Sequence, residues 1–227
     1  MIKPGEPWGR PTPEQAQVEI TGDDAALAAA VPDDGSSPLV RFHPRGSALA
    51  RAVGLGDRSA ADLPAEPEMA GTRGIALPID AIATAWGTAV NAVVIGVSPY
   101  RLRAYHRRAP MTVTVDGRAL FTGRATTVVI ANGQFIDGAD VVPRGHPGDG
   151  KLEIQVYALA PGERAAMRRR LPAGNHLPHP RIVVGAGRVV EFTGGSGRRQ
   201  LILDGRTMDP VNELEASIIP RALQLLI

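Results

Sequence analysis

From Gly74 onward the chain consists of short apolar or alternating segments that are separated by turn-forming dipeptides. These dipeptides include Asp116-Gly117, Asn132-Gly133, Asp149-Gly150 and Asp204-Gly205, and each of them favours a tight reversal of the backbone. The candidate strands are Gly74–Ile79, Ala89–Val97, Met111–Val115, Thr126–Ala131, Leu152–Ala158, Arg181–Val184, Val189–Phe192, Gln200–Leu203, Leu214–Ile218 and Leu223–Leu226. Many short strands at this spacing predict a β-sandwich or barrel-like domain.

Residues 16–56 have a different pattern, in which short apolar segments alternate with helix-forming runs. Ala16–Ile20 and Pro38–Phe42 are candidate strands, whereas Asp23–Val31 and Ser47–Val53 are candidate helices, with Ser47 as a cap. The order strand, helix, strand, helix predicts a parallel α/β unit. Because two strands alone do not make a stable parallel sheet that is buried on both faces, we expect this unit to be incomplete.

These patterns divide the chain into four parts. Residues 1–15 contain four prolines and are predicted to be a disordered or extended lead-in, and residues 16–56 form the incomplete α/β unit. Residues 57–73 are rich in proline, alanine and acidic residues and are predicted to be a linker. Residues 74–227 form the β-domain, which one helix interrupts at Pro161–Leu171. The expected fold class is therefore α+β and mainly β.

The composition excludes several kinds of protein. The chain has no cysteine, which excludes a disulfide framework and a thiolate metal site. No apolar run approaches the length of about 20 residues that a membrane-spanning helix needs. The N-terminus also lacks the charged, apolar and small-residue order of a signal peptide. We therefore expect a cytoplasmic protein.

The basic residues are almost all arginines, and they cluster at Arg107–Arg108, Arg168–Arg170 and Arg198–Arg199. The formal net charge is only +2, and we find no aromatic residues interleaved with these clusters, so nucleic acid is not an expected partner. The clusters are either ordinary solvated surface or a face that meets anionic lipid headgroups. The second interpretation predicts a cytoplasmic protein that contacts the membrane peripherally.

The segment Val128–Tyr157 carries the most specific pattern in the chain. A strand ends at Asn132-Gly133, and the chain then passes Gly138 and Pro143 and closes at Asp149-Gly150 before the strand LEIQVY. This order resembles the C-terminal β-domain of the superfamily that contains diacylglycerol kinases, sphingosine kinases and NAD kinases. The resemblance covers about residues 87–227 and includes two further segments, QLILDGR at 200–206 and IIPRALQLLI at 218–227. It implies a β-sandwich-like domain of the lipid-kinase type.

The N-terminal unit resembles a reduced form of the nucleotide-binding lobe of the same kinases. Active members have a Gly-Gly-Asp-Gly-Thr turn whose backbone amides bind phosphate, and the corresponding residues here are Thr21–Ala25. A second family block resembles Pro44–Arg51, and Asn91 matches a family asparagine near the nucleotide, although a buried amide bonded to the backbone is an equal alternative. The resemblance implies nucleotide-binding roles for Gly22, Asp23, Gly46, Ser47 and Asn91.

Two further aspartates receive roles from the resemblance. In family members an Asp-Gly-Glu segment lies near the lipid hydroxyl and supplies the general base; here Asp204 remains and Arg206 replaces the glutamate. A catalytic role for Asp204 is thus implied, with a plain turn residue as the alternative. Asp149 matches a position where family members bind a structural Mg²⁺, and a plain hairpin turn is again the alternative.

The family reaction is the ATP-dependent phosphorylation of a lipid hydroxyl, so the resemblance implies ATP, Mg²⁺ and a lipid such as diacylglycerol. The altered turn places Asp23 beside Asp24, and two adjacent carboxylates repel phosphate unless a metal lies between them. We therefore expect a degenerate member with weak or no kinase activity. Two alternatives stay open, a lipid-binding module without catalysis and a partner subunit that completes a kinase through dimerisation, for example as a homodimer. Residual catalysis requires Asp23, Asn91 and Asp204 to face one cleft.

Overall fold

The computed structural model describes residues 8–12, 15–55, 74–195 and 197–227. The strands are β1 (Arg10–Thr12), β2 (Val18–Gly22), β3 (Leu39–Pro44), β4 (Gly74–Thr84), β5 (Gly87–Ala89), β6 (Ala92–Gly96), β7 (Ala109–Val115), β8 (Arg118–Ala125), β9 (Thr127–Ala131), β10 (Phe135–Ile136), β11 (Ala139–Asp140), β12 (Leu152–Tyr157), β13 (Ile182–Gly187), β14 (Val189–Gly194), β15 (Arg199–Leu203), β16 (Arg206–Val211) and β17 (Glu213–Leu226). The helices are α1 (Asp24–Ala28), α2 (Ala48–Ala52) and α3 (Arg164–Arg170), with 3₁₀ turns at Pro99–Arg101, Pro161–Glu163 and Leu171–Ala173. None of the helices in these ranges is long and apolar enough to span a membrane.

Two mainly antiparallel sheets enclose the main core. The larger sheet has the strand order β1-β4-β17-β14-β7-β8, and the smaller sheet has the order β13-β12-β9-β6-β15-β16. Successive side chains of a strand point to opposite faces, so alternate residues such as Val93, Ile95, Val128 and Ile130 are buried between the sheets. The predicted β-sandwich-like, mainly β fold is confirmed.

The outer face of the smaller sheet is also covered. Val94 and Val129 point away from the main core and belong to a second apolar cluster, which includes Met167 of α3 and Leu171. The central strands of this sheet are therefore buried on both faces. This explains why β9 reads as a continuous apolar run without the alternation of a half-exposed strand.

The α/β unit shares a sheet with the β-domain. Strands β2 and β3 are parallel, as the sequence predicts, and β3 also pairs in parallel with the end of β17. A third apolar cluster joins Leu27 of α1 and Leu49 of α2 to Ile79 and Leu223 of the β-domain. Strand β17 thus supplies the support that the incomplete unit needs, while β2 pairs with β3 alone among the described residues.

Two strand predictions are wrong in how they divide the chain. Leu214–Ile218 and Leu223–Leu226 belong to one strand, β17, because a bulge between Ile219 and Leu223 lets it continue pairing with β4. The predicted strand Ala89–Val97 is two strands, because Ala89 ends β5 in the larger sheet and the next strand, β6, lies in the smaller one. The chain crosses between the two sheets at residues 90–91.

Other differences follow from exposure. Strands β8 and β16 are absent from the prediction because both lie at sheet edges, are largely exposed and show little apolar alternation. Strand β1 lies inside the predicted lead-in 1–15, where its antiparallel pairing with β4 orders residues 10–12. The predicted helix Asp23–Val31 is shorter, since α1 covers five residues. The predicted linker 57–73 lies outside the described residues.

Candidate functional site

A cleft of about 520 Å³ lies where the α/β unit meets the smaller sheet. It is lined by Asp23, Asn91 and Asp204, the three residues that residual catalysis requires in one cleft, together with Gly46. Ser47 is buried in the adjoining backbone, and Gly22 and Asp149 are not among the lining residues. The fold therefore brings most of the predicted site residues together, and their functional roles stay predictions.

Asp204 is held by the backbone that leads into β6. Its Oδ2 accepts a hydrogen bond from the N–H of Val90 at 2.7 Å, and its Oδ1 accepts from Asn91 at 3.0 Å and Ala92 at 2.8 Å. Asp204 and Gly205 have φ angles of +45° and +80°, which form the predicted tight turn between β15 and β16. The side chain therefore ties this hairpin to β6 and also forms part of the cleft wall.

Burial raises the pKa of the Asp204 carboxyl to about 7, even though the N–H groups of Ala92 and Val90 favour its charged form; the nearby Asp24 carboxylate raises it further. A carboxyl with this pKa exchanges a proton near neutral pH, which is what a general base needs. Both oxygens, however, already accept backbone hydrogen bonds. Proton uptake by Asp204 would therefore compete with its structural role.

The raised pKa of Asp204 makes stability depend on pH. The folded chain binds this proton more tightly than the unfolded chain, whose aspartate pKa is near 4, so the contribution is complete below about pH 4 and is lost as the pH rises through about 7. Urea unfolding should show that the unaltered chain is less stable at about pH 8 than at about pH 5. This loss of stability should exceed the loss that Asp204→Asn shows between the same two pH values by about 2 kcal/mol. Equal losses in the two proteins would contradict the shift.

Asp24 is a buried carboxylate at the cleft whose bonding the sequence pattern did not reveal. Its Oδ1 accepts hydrogen bonds from the Ser47 hydroxyl and from the N–H of Leu49 at 3.1 Å, and its Oδ2 accepts from Ala48 at 3.1 Å. The Ser47 Oγ accepts in turn from the N–H of Ala50 at 2.9 Å, which confirms Ser47 as the cap of α2. Burial raises the pKa of Asp24. The first N–H groups of α2 are thus occupied by the chain's own side chains.

Asp23 and Gly22 have local structural roles at α1. The Oδ1 of Asp23 accepts a hydrogen bond from the N–H of Ala26 at 2.9 Å and so caps the helix. Gly22 has a φ angle of +153°, and a Cβ at this position would lie only 2.7 Å from the Cβ of Ala26. The close approach of β2 to α1 is therefore sufficient to require the glycine, without any ligand.

Asn91 presents an unsatisfied oxygen beside the cleft. Its Nδ2 donates to the carbonyl of Phe135 at 3.0 Å, whereas its Oδ1 is buried and has no hydrogen-bond partner within the described ranges. Gly133 lies against this oxygen, and a Cβ there would approach it to 2.1 Å. A buried acceptor without a partner is costly, and the packing of Gly133 against this oxygen separates it from the cleft.

The rest of the cleft combines an apolar wall with a polar cluster that the sequence analysis missed. The Ser98 hydroxyl donates to Asp137 at 2.5 Å, and the Nε of Arg101 lies 3.9 Å from the same carboxylate. Asp137 precedes Gly138 and has a φ angle of +50°, so this Asp-Gly dipeptide is the signal that would have found it. The apolar wall consists of Ala92, Val94, Val97, Ile136 and Ile202.

The carboxylates at this site do not fit a metal ion held by the protein alone. Among the residues that the structure describes, no group of three or more histidine, aspartate or glutamate side chains is placed to bind one. Asp24 and Asp204 use their oxygens for backbone and hydroxyl donors. Asp149 accepts a hydrogen bond from the N–H of Lys151 at 3.0 Å, which is the geometry of a turn. A Mg²⁺ role for Asp149 stays a prediction.

Comparisons with known proteins agree with this architecture. The model of the YegS C-terminal NAD kinase beta sandwich-like domain matches residues 80–227, which is more than half of the chain. A diacylglycerol kinase structure from Bacillus anthracis str. Sterne superposes with a TM-score of 0.70 at 17% identity, covering 92% of this chain and 75% of that one. A putative diacylglycerol kinase from the same strain gives a TM-score of 0.72 at 15% identity, with coverages of 92% and 77%.

Yeast NADH kinase complexed with NADH is more distant, with a TM-score of 0.50 at 10% identity, covering 92% of this chain and 62% of that one. At these identities the structural matches show the fold alone. A comparison with curated proteins finds no significant match. The match of the family model agrees with the resemblance seen in the sequence and with the two-sheet architecture. The chain therefore belongs to the family of the YegS C-terminal NAD kinase beta sandwich-like domain.

Proposed function

We propose that this chain is a lipid-kinase-family protein that binds a hydroxyl-bearing lipid in its cleft and transfers phosphate from ATP weakly or not at all. One observation carries the proposal: the backbone N–H groups at the polar end of the cleft already donate to the chain's own carboxylates. Asp24 accepts hydrogen bonds from the N–H groups at the start of α2. Asp204 accepts hydrogen bonds from the N–H groups of the two residues before β6 and of the first residue of β6.

A nucleotide phosphate needs free backbone N–H donors, and these carboxylates already occupy them. Helix N-termini and glycine-rich turns bind phosphate because free N–H groups and a favourable dipole face the anion. Here Asp23 and Asp24 occupy the N-terminal ends of two helices that are only five residues long. An incoming phosphate would therefore meet negative charge in place of free donors. The residues present therefore do not fit ATP.

The other end of the cleft suits a lipid. Val94, Val97 and Ile202 give the smaller sheet an apolar surface that faces the cleft, and Ile136 extends it. A lipid hydroxyl in the same cleft would meet the polar side chains of Asp137 and Asp204, which also line it. A diacylglycerol combines one hydroxyl with apolar chains, and two of the similar folds are described as diacylglycerol kinases. These features favour a diacylglycerol-like ligand.

A two-part assay tests the proposal. The chain is incubated with labelled ATP, Mg²⁺ and diacylglycerol in mixed micelles. Any lipid phosphorylation should be far slower than the roughly 1–100 turnovers per second that are typical of kinases. A water-soluble diacylglycerol with short chains should bind, as followed by intrinsic tryptophan fluorescence or calorimetry. Ile202→Glu should weaken that binding at least about tenfold, because it places a charge on the apolar wall.

The matched control is Val184→Glu, which makes the same kind of change at a side chain on β13 that is 54% exposed and outside the cleft. It should bind the short-chain lipid like the unaltered chain. Rapid phosphorylation would overturn the loss of kinase activity, and equal lipid binding by the two variants would overturn the assignment of the apolar wall.

A further inference from the structure

A second surface of the β-domain concentrates positive charge and exposed tyrosine. It consists of Tyr100, Arg103, Tyr105, Arg107, Arg168 and Arg169, and we call it the basic face. The loop after β6 and helix α3 contribute to it, and Tyr100 and Tyr105 are 45% and 77% exposed. The expectation that no aromatic residues accompany the arginine clusters is wrong, because Tyr105 lies two positions before Arg107 and Tyr100 lines one concavity with Arg168 and Arg169.

A buried arginine holds the two parts of this face together. Arg164 in α3 is 1% exposed, and its Nη1 donates to the carbonyls of Arg103 at 2.8 Å, Ala104 at 3.1 Å and His106 at 2.5 Å. Its Nη2 donates to the carbonyl of Leu159 at 3.2 Å. The loop that carries Tyr105 and Arg107 is therefore fixed against the helix that carries Arg168 and Arg169.

The charge of the basic face is not neutralised within the described part of the chain. The ion pairs found there join Arg41 to Glu19, Arg101 to Asp137 and Arg181 to Glu163, and none of them involves an arginine of this face. The face also contains a concavity of about 340 Å³ between Tyr100, Arg103, Arg168 and Arg169. The Nε of Arg168 is buried and has no hydrogen-bond partner in the described residues. An anionic group seated in this concavity would meet several guanidinium donors.

We propose that the basic face docks onto the surface of an anionic lipid bilayer, with a lipid phosphate in the concavity. Arginines near a membrane are attracted to anionic headgroups, and exposed tyrosines favour the interface between water and acyl chains. The position of the face supports a bilayer: Arg101 lines the lipid-binding cleft and directly follows Tyr100 of the face. The choice of a bilayer rests on the lipid-binding part of the proposed function.

Vesicle sedimentation tests the proposal. The chain should bind vesicles of equal parts phosphatidylglycerol and phosphatidylcholine and should not bind phosphatidylcholine alone. The double variant Arg107→Gln/Arg169→Gln should bind the anionic vesicles about 25-fold more weakly, since each arginine near such a surface contributes about fivefold. Neither arginine lines the cleft, and Arg164 is kept so that the loop stays in place.

The matched control is Arg118→Gln/Arg188→Gln, which removes the same charge from two exposed arginines. Arg118 lies at the far end of the β7–β8 hairpin from Arg107, and the N–H of Arg188 bonds to Asp116 in that turn. Vesicle binding by this control should change less than about twofold. Equal losses in both double variants, binding to neutral vesicles, or tighter binding to a single-stranded RNA than to the anionic vesicles would each overturn the docking proposal.

A parallel titration separates this proposal from the proposed function. The double variant of the basic face should still bind the short-chain diacylglycerol with the affinity of the unaltered chain, because the cleft is untouched. If the short-chain lipid binds but anionic vesicles do not, the docking surface is wrong and the lipid-binding cleft stands. If the vesicles bind but the short-chain lipid does not, the cleft assignment is wrong and the basic face is a membrane contact on its own.

Discussion

Asp80→Ala is expected to lower the free energy of unfolding by about 3 kcal/mol. Asp80 lies in β4 and is 1% exposed; its Oδ1 accepts from the N–H of Arg221 at 2.7 Å, and its Oδ2 accepts from the N–H of Gly150 at 2.7 Å. Arg221 has a φ angle of +53° at the bulge of β17, and Gly150 lies in the loop before β12, two positions from its first residue. The alanine would leave both N–H groups without their acceptor, at about 1–3 kcal/mol each.

Part of that cost is offset. Burial raises the pKa of Asp80, and the nearby Asp149 raises it further, so removing the carboxylate also removes an unfavourable desolvation. The two N–H groups together would cost about 2–6 kcal/mol, and the offset places the effect of Asp80→Ala in the lower half of that range, at about 3 kcal/mol. We expect about 1 kcal/mol for Asp80→Asn, which keeps one acceptor. Urea unfolding followed by circular dichroism measures both.

The control for Asp80 is Asp209→Ala, which removes an exposed aspartate from β16. Its stability should stay within about 0.5 kcal/mol of the unaltered chain. Hydrogen exchange gives a second readout, since the amides of Gly150 and Arg221 should lose protection in Asp80→Ala. If Asp80→Ala loses no more stability than Asp209→Ala and both amides keep their protection, Asp80 does not fix the bulge of β17 to the loop before β12.

The parts of the fold that the sequence predicts are those with local signals. The turn at Asp204-Gly205 is predictable because few residue pairs adopt two successive positive φ angles. The central strands are predictable because burial selects apolar residues over a short run, as in β9. Edge strands such as β8 carry no such signal, because their exposed positions accept polar residues.

The candidate site was predictable only in part, because its contacts join distant segments. Asp24 and Ser47 are 23 positions apart, and Asp80 and Arg221 are 141 apart, so no local pattern marks either pair. Asp80 does leave one trace, a carboxylate inside the apolar run ALPIDAIA, which indicates a buried and bonded group. The meeting of Asp23, Asn91 and Asp204 in one cleft follows from the family resemblance, and composition alone does not predict it.

The second large expected effect is the absence of tight nucleotide binding. The carboxylate of Asp24 occupies the N–H groups of Ala48 and Leu49, and Asp204 occupies those of Val90 and Ala92. A phosphate would have to displace a bonded carboxylate from a buried position and stay beside its charge. Since like charges close together disfavour each other strongly, we expect a dissociation constant for Mg·ATP above about 1 mM.

A variant that neutralises one carboxylate provides the matched comparison. Asp24→Asn keeps the size of the side chain and one acceptor oxygen but removes its negative charge from the cleft. If that charge is what excludes phosphate, Asp24→Asn should bind Mg·ATP at least about tenfold more tightly than the unaltered chain, a difference of about 1.4 kcal/mol. Cooperative urea unfolding of the same samples shows that both proteins are folded before the comparison is made.

Calorimetric titration of the unaltered chain with Mg·ATP tests the central claim most directly, namely that the chain's own carboxylates have replaced nucleotide phosphate in this cleft. The titration is run at two temperatures, because a binding enthalpy that is zero at one temperature is not zero at the other. We predict no saturable heat at either temperature up to about 1 mM nucleotide. Saturable binding with a micromolar dissociation constant would contradict the account and would restore an active kinase as the better description.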